Sequence, residues 1–151
     1  MAELTRQDVI KILATGSSPV CLRGVDLSGL DLSYLDLSRA NLFYANLVGT
    51  NLAAANLYEA VLFKANLTDA NLAGASMKGA ELVGANLTRA NLCGAGLTGA
   101  LLAGATLYGA DLTGVRWDGA DFNGVRFDKA TIWPAEFNAQ LFDFDPESTS
   151  G

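Results

Sequence analysis

Residues able to perform acid–base, nucleophilic or metal chemistry are scarce in this chain. Its 151 residues include no histidine, which is the usual general base for a serine or cysteine nucleophile and the commonest metal ligand. The two cysteines, Cys21 and Cys93, lie far apart in the sequence, and no glycine-rich phosphate-binding loop is present. The sequence therefore predicts no catalytic residue, no cofactor-binding residue, no metal ligand and no enzyme activity.

The charge of the chain narrows the classes of partner. The formal net charge is −6, which argues against a protein that binds nucleic acid or an anionic membrane by neutralising phosphate groups. Residues 20–134 carry ten acidic and eight basic side chains, so most of the excess acidity lies in the C-terminal segment. The N-terminus lacks the pattern of a signal peptide, and no run of about 18 apolar residues exists. We therefore expect a cytoplasmic protein that contacts neither nucleic acid nor membrane directly.

A period of five residues organises most of the sequence. A large apolar residue stands at every fifth position from Leu22 to Ile132, 23 times in succession and with no insertion in the pattern. The residue two places before it is Ala in 16 of the 23 units, and the residue between them is Asn or Asp in 13. An uninterrupted short repeat of this kind predicts a repetitive structure rather than a globular core.

The number five itself constrains the backbone. On an α-helix every fifth residue drifts around the axis, and on a flat strand an odd step changes face. The chain must therefore turn a corner once per unit, which produces a coil with short flat sides and about 4.8 Å between stacked layers. Asp26, Asp31 and Asp36 then occupy successive sides of the coil and do not converge.

The unit Ala-(Asn/Asp)-Leu-x-x, as at 40–44 and 65–69, resembles that of the pentapeptide-repeat family. The resemblance implies a right-handed quadrilateral β-helix with four units per coil, in which the Leu and the preceding Ala point inward. The 23 units of residues 20–134 would then form about six coils of an all-β solenoid. A solenoid interior filled by Leu and Ala leaves no pocket for a small-molecule substrate.

Both ends of the repeat are predicted to carry caps. Residues 1–19 contain a short helix, for which Thr5 is the expected N-cap and Asp8 its partner three residues later. We expect this helix to cover the first coil, although it could instead be an amphipathic segment that binds a partner. Residues 135–151 are predicted to form an irregular aromatic cap over the last coil, with a disordered tail at 148–151.

One face of the predicted solenoid is more apolar than the others. Residues 20 apart should lie above one another, and on one face this places several apolar side chains outside the core. The candidate partner-binding residues are Phe43, Tyr44, Val61, Phe63, Val83 and Leu101. A contiguous exposed apolar patch usually marks an interaction site. The alternative is that stacked aromatic side chains only reinforce neighbouring layers.

Three functions follow from these observations. The first is a non-catalytic scaffold that presents the apolar face to a protein partner or to a second copy of the chain. The second comes from the resemblance: some pentapeptide-repeat proteins that protect DNA gyrase imitate duplex DNA with an acidic surface, but here residues 20–134 are nearly neutral. The third, binding of a small ligand or metal, conflicts with the filled core and the lack of histidine.

Overall fold

The computed structural model describes residues 3–138 and residue 142. Its one α-helix within that part of the chain, α1 (Arg6–Ala14), precedes the repeat. Thr5 is the N-cap: its side chain accepts a hydrogen bond from the Asp8 N–H, and the Asp8 carboxylate accepts one from the Thr5 N–H, as predicted. Val9 is fully buried against the first coil.

The repeat forms a stack of parallel layers with a fixed register. Nineteen parallel β-bridges join described residues, and all but one connect a residue to the residue 20 positions later. They form four columns, which begin at Cys21, Asp26, Asp31 and Asp36. Each coil therefore has four sides of one unit each, and the predicted alignment of residues 20 apart is confirmed.

Backbone hydrogen bonds hold the layers together at every side. The N–H of Leu42, for example, donates to the carbonyl of Val61 in the next coil at 2.7 Å, and the N–H of Tyr44 donates to the carbonyl of Phe63 at 3.0 Å. Within a unit, the N–H of Ala45 donates back to the carbonyl of Leu42 at 2.9 Å, which closes a β-turn. This turn makes the corner that the five-residue period requires.

The inward positions are filled as the sequence predicts. The third residue of each unit from Leu22 to Leu112 and the Ala at the first position of the middle units are almost completely buried. The Asn or Asp at the second position lies at the surface and makes an Asx-type turn, in which its side-chain oxygen accepts the N–H two residues later. Asn41, for example, accepts from Phe43 at 3.1 Å.

The fifth position of every unit from Gly24 to Gly124 adopts a positive φ. Glycine occupies it in many units, but Lys64 has φ 51° and Arg89 has φ 55°. A long side chain at this position extends over the glycine at the same position one coil later. The Lys64 Cγ lies 3.1 Å from the place where a Cβ on Gly84 would be, whereas a Cβ on Gly74 would meet nothing within 4 Å.

The register of the last unit differs from the prediction. Asp111 bridges Ile132, 21 residues later, so one extra residue lies between Arg126 and Ile132. Ile132 is 50% exposed rather than inward, and Thr131 is buried instead. The expectation of 23 units without insertion was therefore wrong at its final unit.

The side chains of Asp128 and Thr131 accommodate the extra residue. The Asp128 carboxylate accepts the N–H of Gly109 at 3.0 Å, a donor whose equivalents elsewhere bond to a carbonyl. The Thr131 hydroxyl donates to the carbonyl of Leu107 at 2.8 Å. Thr50 makes the same kind of contact with Leu27 at 2.9 Å, so a threonine at the first position of a unit can replace Ala while remaining paired.

An aromatic cluster covers the end of the last coil. Phe137 lies 5.2 Å from Trp117 and 5.3 Å from Phe122, measured between ring centroids, and Phe142 lies 5.5 Å from Phe122. Trp133 stacks on Phe137 at 4.3 Å. The tail predicted to be disordered at 148–151 lies outside the described residues.

The contact between Lys64 and Gly84 leads to a stability prediction. Gly84→Ala should lower the free energy of unfolding by about 1–2 kcal/mol, because an alanine is strained at positive φ and its Cβ displaces Lys64. Gly74→Ala is the matched control, since it carries the same backbone strain without the contact. Urea unfolding should show the larger loss for Gly84→Ala, and Lys64→Ala should remove the difference. If Gly84→Ala costs the same free energy in the Lys64→Ala background as in the wild type, the contact does not contribute.

Hydrogen bonds to surface carboxylates lead to a pH prediction. The Ser33 hydroxyl, at 2.6 Å, and the Ser33 N–H hold the pKa of Asp31 below its ordinary value of 3.8, and Thr113 does the same for the pKa of Asp111. Because the folded-state pKa is depressed, these contacts stabilise the fold fully above pH 3.8 and are lost as the pH falls through the lower folded-state value.

The melting temperature should therefore stay nearly constant from neutral pH to about pH 5 and fall at lower pH. Asp111→Asn keeps an acceptor for the Thr113 N–H but does not titrate, so its melting temperature should fall less on acidification. A variant that loses as much stability as the wild type between pH 5 and pH 3 would argue against a contribution from Asp111.

Candidate functional site

The candidate residues lie on one side of the solenoid, which we call the Phe face. It consists of residues 20–24 and the segments that follow at intervals of 20. Its bridged column comprises Cys21, Asn41, Val61, Glu81, Leu101 and Asp121. The fourth position of the same units adds Arg23, Phe43, Phe63, Val83, Ala103 and Asn123. The fold thus brings the six sequence-predicted residues to one face.

Stacked aromatic rings form the centre of the Phe face. The rings of Phe43 and Phe63 are nearly parallel, with centroids 5.0 Å apart and an interplanar angle of 13°. Tyr44 packs its ring edge-on against both, at 4.6 Å from Phe43 and 6.2 Å from Phe63. The three rings therefore pack against one another across two layers.

Two cations extend this arrangement. The guanidinium carbon of Arg23 lies 4.4 Å from the centroid of Phe43, one coil before it. The Lys64 ammonium lies 5.5 Å from the centroid of Phe63 and 5.9 Å from that of Tyr44. All three distances are within the range of cation–π attraction. Arg23 and Lys64 form no ion pair with any residue of the described part of the chain.

The six candidate residues differ in exposure. Tyr44 is 50% exposed and Leu101 is 42% exposed, whereas Phe43, Phe63, Val61 and Val83 are half-buried. Glu81 is exposed and lies between Val61 and Leu101 in the bridged column. The apolar side chains are therefore concentrated around Phe43 and Phe63. Leu101 is a separate exposed apolar residue, two layers from Val61.

Sequence reasoning identified the apolar column but not the part played by the cations. The signal that could have identified them is the spacing of 20, since Arg23 precedes Phe43 by 20 residues and Lys64 follows Tyr44 by 20. The same spacing pairs Arg39 with Glu59 at 2.9 Å and Asp69 with Arg89 at 2.7 Å elsewhere on the surface.

Metal-binding and thiol chemistry is limited among the described residues. No group of three or more His, Cys, Asp or Glu side chains there could hold a metal ion. Cys21 is exposed, and Cys93 is half-buried. Burial and a hydrogen bond with the Asp111 carboxylate raise the pKa of the Cys93 thiol, the hydrogen bond being the larger cause. No helix in the described part of the chain is long and apolar enough to cross a membrane.

Comparison with known proteins assigns the family. The profile for pentapeptide repeats matches eight copies over residues 21–57, 55–94, 80–116 and 105–137. The chain belongs to the pentapeptide-repeat family, a class of β-helical repeat proteins. None of the curated protein sequences is significantly similar to it.

Solved structures of other family members show the extent of the likeness. A pentapeptide repeat protein, Rfr23, from the cyanobacterium Cyanothece 51142 is 32% identical, with 83% of this chain and 99% of that chain covered and a TM-score of 0.48. QnrB1, a plasmid-mediated fluoroquinolone resistance protein, is 17% identical in one trypsin-treated form, with 84% and 80% covered and a TM-score of 0.61. A pentapeptide repeat protein from the Arabidopsis thaliana thylakoid lumen is 28% identical, with 80% and 70% covered and a TM-score of 0.41.

The ring geometry leads to a prediction about stability. Phe63→Ala should lower the free energy of unfolding by about 1–3 kcal/mol, because it removes a half-buried ring stacked on Phe43 and contacted by Tyr44. Tyr34→Ala is the control, since Tyr34 is an aromatic residue that is 80% exposed on another side of the stack. Urea unfolding should show a change within about 0.5 kcal/mol for the control. An equally small change for Phe63→Ala would mean that the stacked rings of Phe43 and Phe63 do not stabilise the coils.

Proposed function

We propose that the chain is a non-catalytic protein-interaction scaffold whose Phe face binds a partner protein. The observation that carries the proposal is the combination of apolar surface and two unpaired cations on one rigid face. Tyr44 and Leu101 remain largely exposed, and Arg23 and Lys64 lie over the rings without an acidic partner on the described chain. An exposed apolar patch bordered by charge is typical of a protein-binding surface.

The charges favour a particular kind of partner. Carboxylates on a partner could pair with Arg23 and Lys64, while its apolar side chains cover Tyr44 and Leu101. A two-fold symmetric contact between two Phe faces would be less favourable. Lys64 lies in the third of the five layers from Arg23 to Leu101, so such a contact centred there would bring the two copies of Lys64 together. We therefore favour a different protein with acidic residues around an apolar centre.

We also infer the finer geometry of the scaffold. The column that begins at Cys21 has six bridged residues, which supports about six coils of the right-handed, four-sided β-helix that the family resemblance implies. Every layer of such a rod is fixed to its neighbours by backbone hydrogen bonds. A partner would then meet a preorganised surface, which lowers the entropic cost of binding.

The proposal is tested by affinity capture from a lysate of the source cells, with variants that keep the fold. Val61→Asn/Leu101→Asn introduces the residue type that Asn41 already provides in the same column, so it should preserve the stack while removing two apolar side chains. Phe43→Ser/Phe63→Ser removes the rings, and Tyr34→Ser is the control on another side. Thermal melting checks that each variant is folded.

We expect the wild type and Tyr34→Ser to capture the same protein, and both double variants to lose at least about 90% of it, since a few central residues carry most of the binding energy of an interface. Light scattering of the purified chain should give the mass of a monomer. Unchanged capture by both double variants would refute the Phe face as the binding surface. A dimer that both variants dissociate would show that a second copy is the partner.

The alternative is a DNA mimic that acts on a DNA-binding protein such as DNA gyrase. A mimic needs a strong negative field, but Glu59 and Asp69 are paired with Arg39 and Arg89 on the surface. We therefore expect no inhibition of supercoiling when the protein is added to gyrase at micromolar concentration. Inhibition that falls when Asp26, Asp31 and Asp36 are changed together to Asn would favour the mimic over the scaffold.

A further inference from the structure

The first coil of the stack has an edge that no earlier coil covers. In the middle of the stack, the carbonyls of Asn71 and Ala73 accept the N–H groups of Leu52 and Ala54 in the preceding coil at 2.7 and 2.9 Å. The first coil presents equivalent pairs of carbonyls on its sides, and each pair lacks a preceding coil. Such an edge can accept hydrogen bonds from a partner.

On one side of the first coil, an arginine of the same chain fills this role. The Arg6 guanidinium donates to the carbonyl of Asp31 at 2.5 Å and to the carbonyl of Ser33 at 3.1 Å. The same guanidinium lies 3.5 Å from the Asp31 carboxylate. A planar group with two parallel donors thus replaces the two N–H groups of a missing coil.

The next side of the coil carries the same acceptors. Asp36 and Ser38 correspond to Asp31 and Ser33, five residues earlier. The Asp36 carboxylate accepts the Ser38 N–H at 3.0 Å and the side-chain amide of Asn56 at 3.0 Å, the same contacts that Asp31 makes with its own neighbours. No donor in residues 3–138 reaches the carbonyls of Asp36 and Ser38.

A groove adjoins these free acceptors. It has a volume of about 470 Å³ and lies between α1 and the first coil, and Asp36 and Ser38 form part of its wall. The remaining wall is mainly apolar and includes Ile10, Leu13, Ala14, Val20, Leu35 and Ala40. Gly16, Ser17 and Ser18 complete the wall. The groove therefore brings a mainly aliphatic surface next to two residues, Asp36 and Ser38, whose carbonyls receive no donor from residues 3–138.

We propose that this groove binds an arginine side chain of a partner polypeptide. The guanidinium would donate to the carbonyls of Asp36 and Ser38 beside the Asp36 carboxylate, as Arg6 does on the neighbouring side. The aliphatic stem and the apolar residues next to the arginine would cover Leu13 and Leu35. Lysine fits less well, because its ammonium lacks the planar pair of donors that matches two adjacent carbonyls.

A third side of the first coil supplies a control within the same molecule. Asp26 and Ser28 repeat the pattern of Asp36 and Ser38, and the Asp26 carboxylate accepts the N–H of Ser28 at 3.0 Å and the side-chain amide of Asn46 at 3.0 Å. Neither residue belongs to the groove, so this side has the polar acceptors without the apolar wall. Removing the charge of Asp26 should leave the binding of arginine unchanged.

The experiment is a titration of the ¹⁵N-labelled full chain with the peptide acetyl-Leu-Arg-Leu-amide, followed by NMR. The same peptide with citrulline or lysine in place of arginine serves as a ligand control. Asp36→Asn removes the charge but keeps an acceptor for Ser38 and Asn56, and Asp26→Asn is the matched variant. Ile10→Ser changes the apolar wall without touching the carbonyls, and the spectrum of each variant verifies the fold.

We expect saturable shifts of the amides of Leu13, Leu35 and Ser38. The affinity should fall about fivefold in Asp36→Asn and for the citrulline peptide, because hydrogen bonds assisted by charge are roughly twice as strong as neutral ones. Asp26→Asn should bind within about twofold of the wild type. Ile10→Ser should weaken binding of both the arginine and the citrulline peptides.

Three outcomes would overturn the proposal. The first is the absence of saturable shifts in the groove of the wild type, and the second is equal binding by Asp36→Asn and Asp26→Asn. The third is a shift of the same amides with protein concentration alone, which would assign the groove to a second copy of the chain. The candidate partner-binding residues Phe43, Tyr44, Val61, Phe63, Val83 and Leu101 lie outside the groove. The result is therefore independent of their role as a binding surface.

Discussion

The hydrogen bonds between successive coils are the constraint on which the rest of the structure depends. Up to Arg126, each side of a coil donates to and accepts from the side 20 residues away, so each unit contains the same number of residues as the unit beneath it. Five residues per side leave one position of the unit at positive φ, which explains both the glycines and the strained Lys64 and Arg89. The same five-residue sides direct the first and third residues of each unit inward. Composition, turn chemistry and core packing therefore all follow from one repeated backbone contact.

The same constraint decides what the surface can do. Side chains 20 residues apart are held about one layer spacing, roughly 4.8 Å, from each other. That distance suits ring stacking and ion pairing, so Phe43 packs on Phe63 and Arg89 pairs with Asp69. Leu and Ala fill the interior of the stack. Along its sides, only columns of surface side chains are therefore available for binding.

The ends of the stack follow different rules because their backbone edges have no further coil. At the C-terminal end, aromatic rings around Phe122 and Phe137 cover the last layer. At the N-terminal end, α1 covers part of the first coil, and Arg6 pairs with the carbonyls of one side only. The incomplete coverage leaves acceptors beside an apolar groove, a combination that the uniform middle of the stack does not offer.

The sequence by itself determined the period, the inward residues, the capped helix at Thr5 and the family, because each of these depends on neighbours within a few residues. It also predicted the column that contains Phe43 and Phe63, since the register of 20 follows from four units per coil. Only the tertiary structure decided that the rings pack on one another, that Arg6 reaches Asp31, and that the last unit shifts so that Thr131 rather than Ile132 is buried. These features depend on the direction that a long side chain takes between layers, or on Asp128 replacing a carbonyl 19 residues away. A local pattern of five residues carries no information about such contacts.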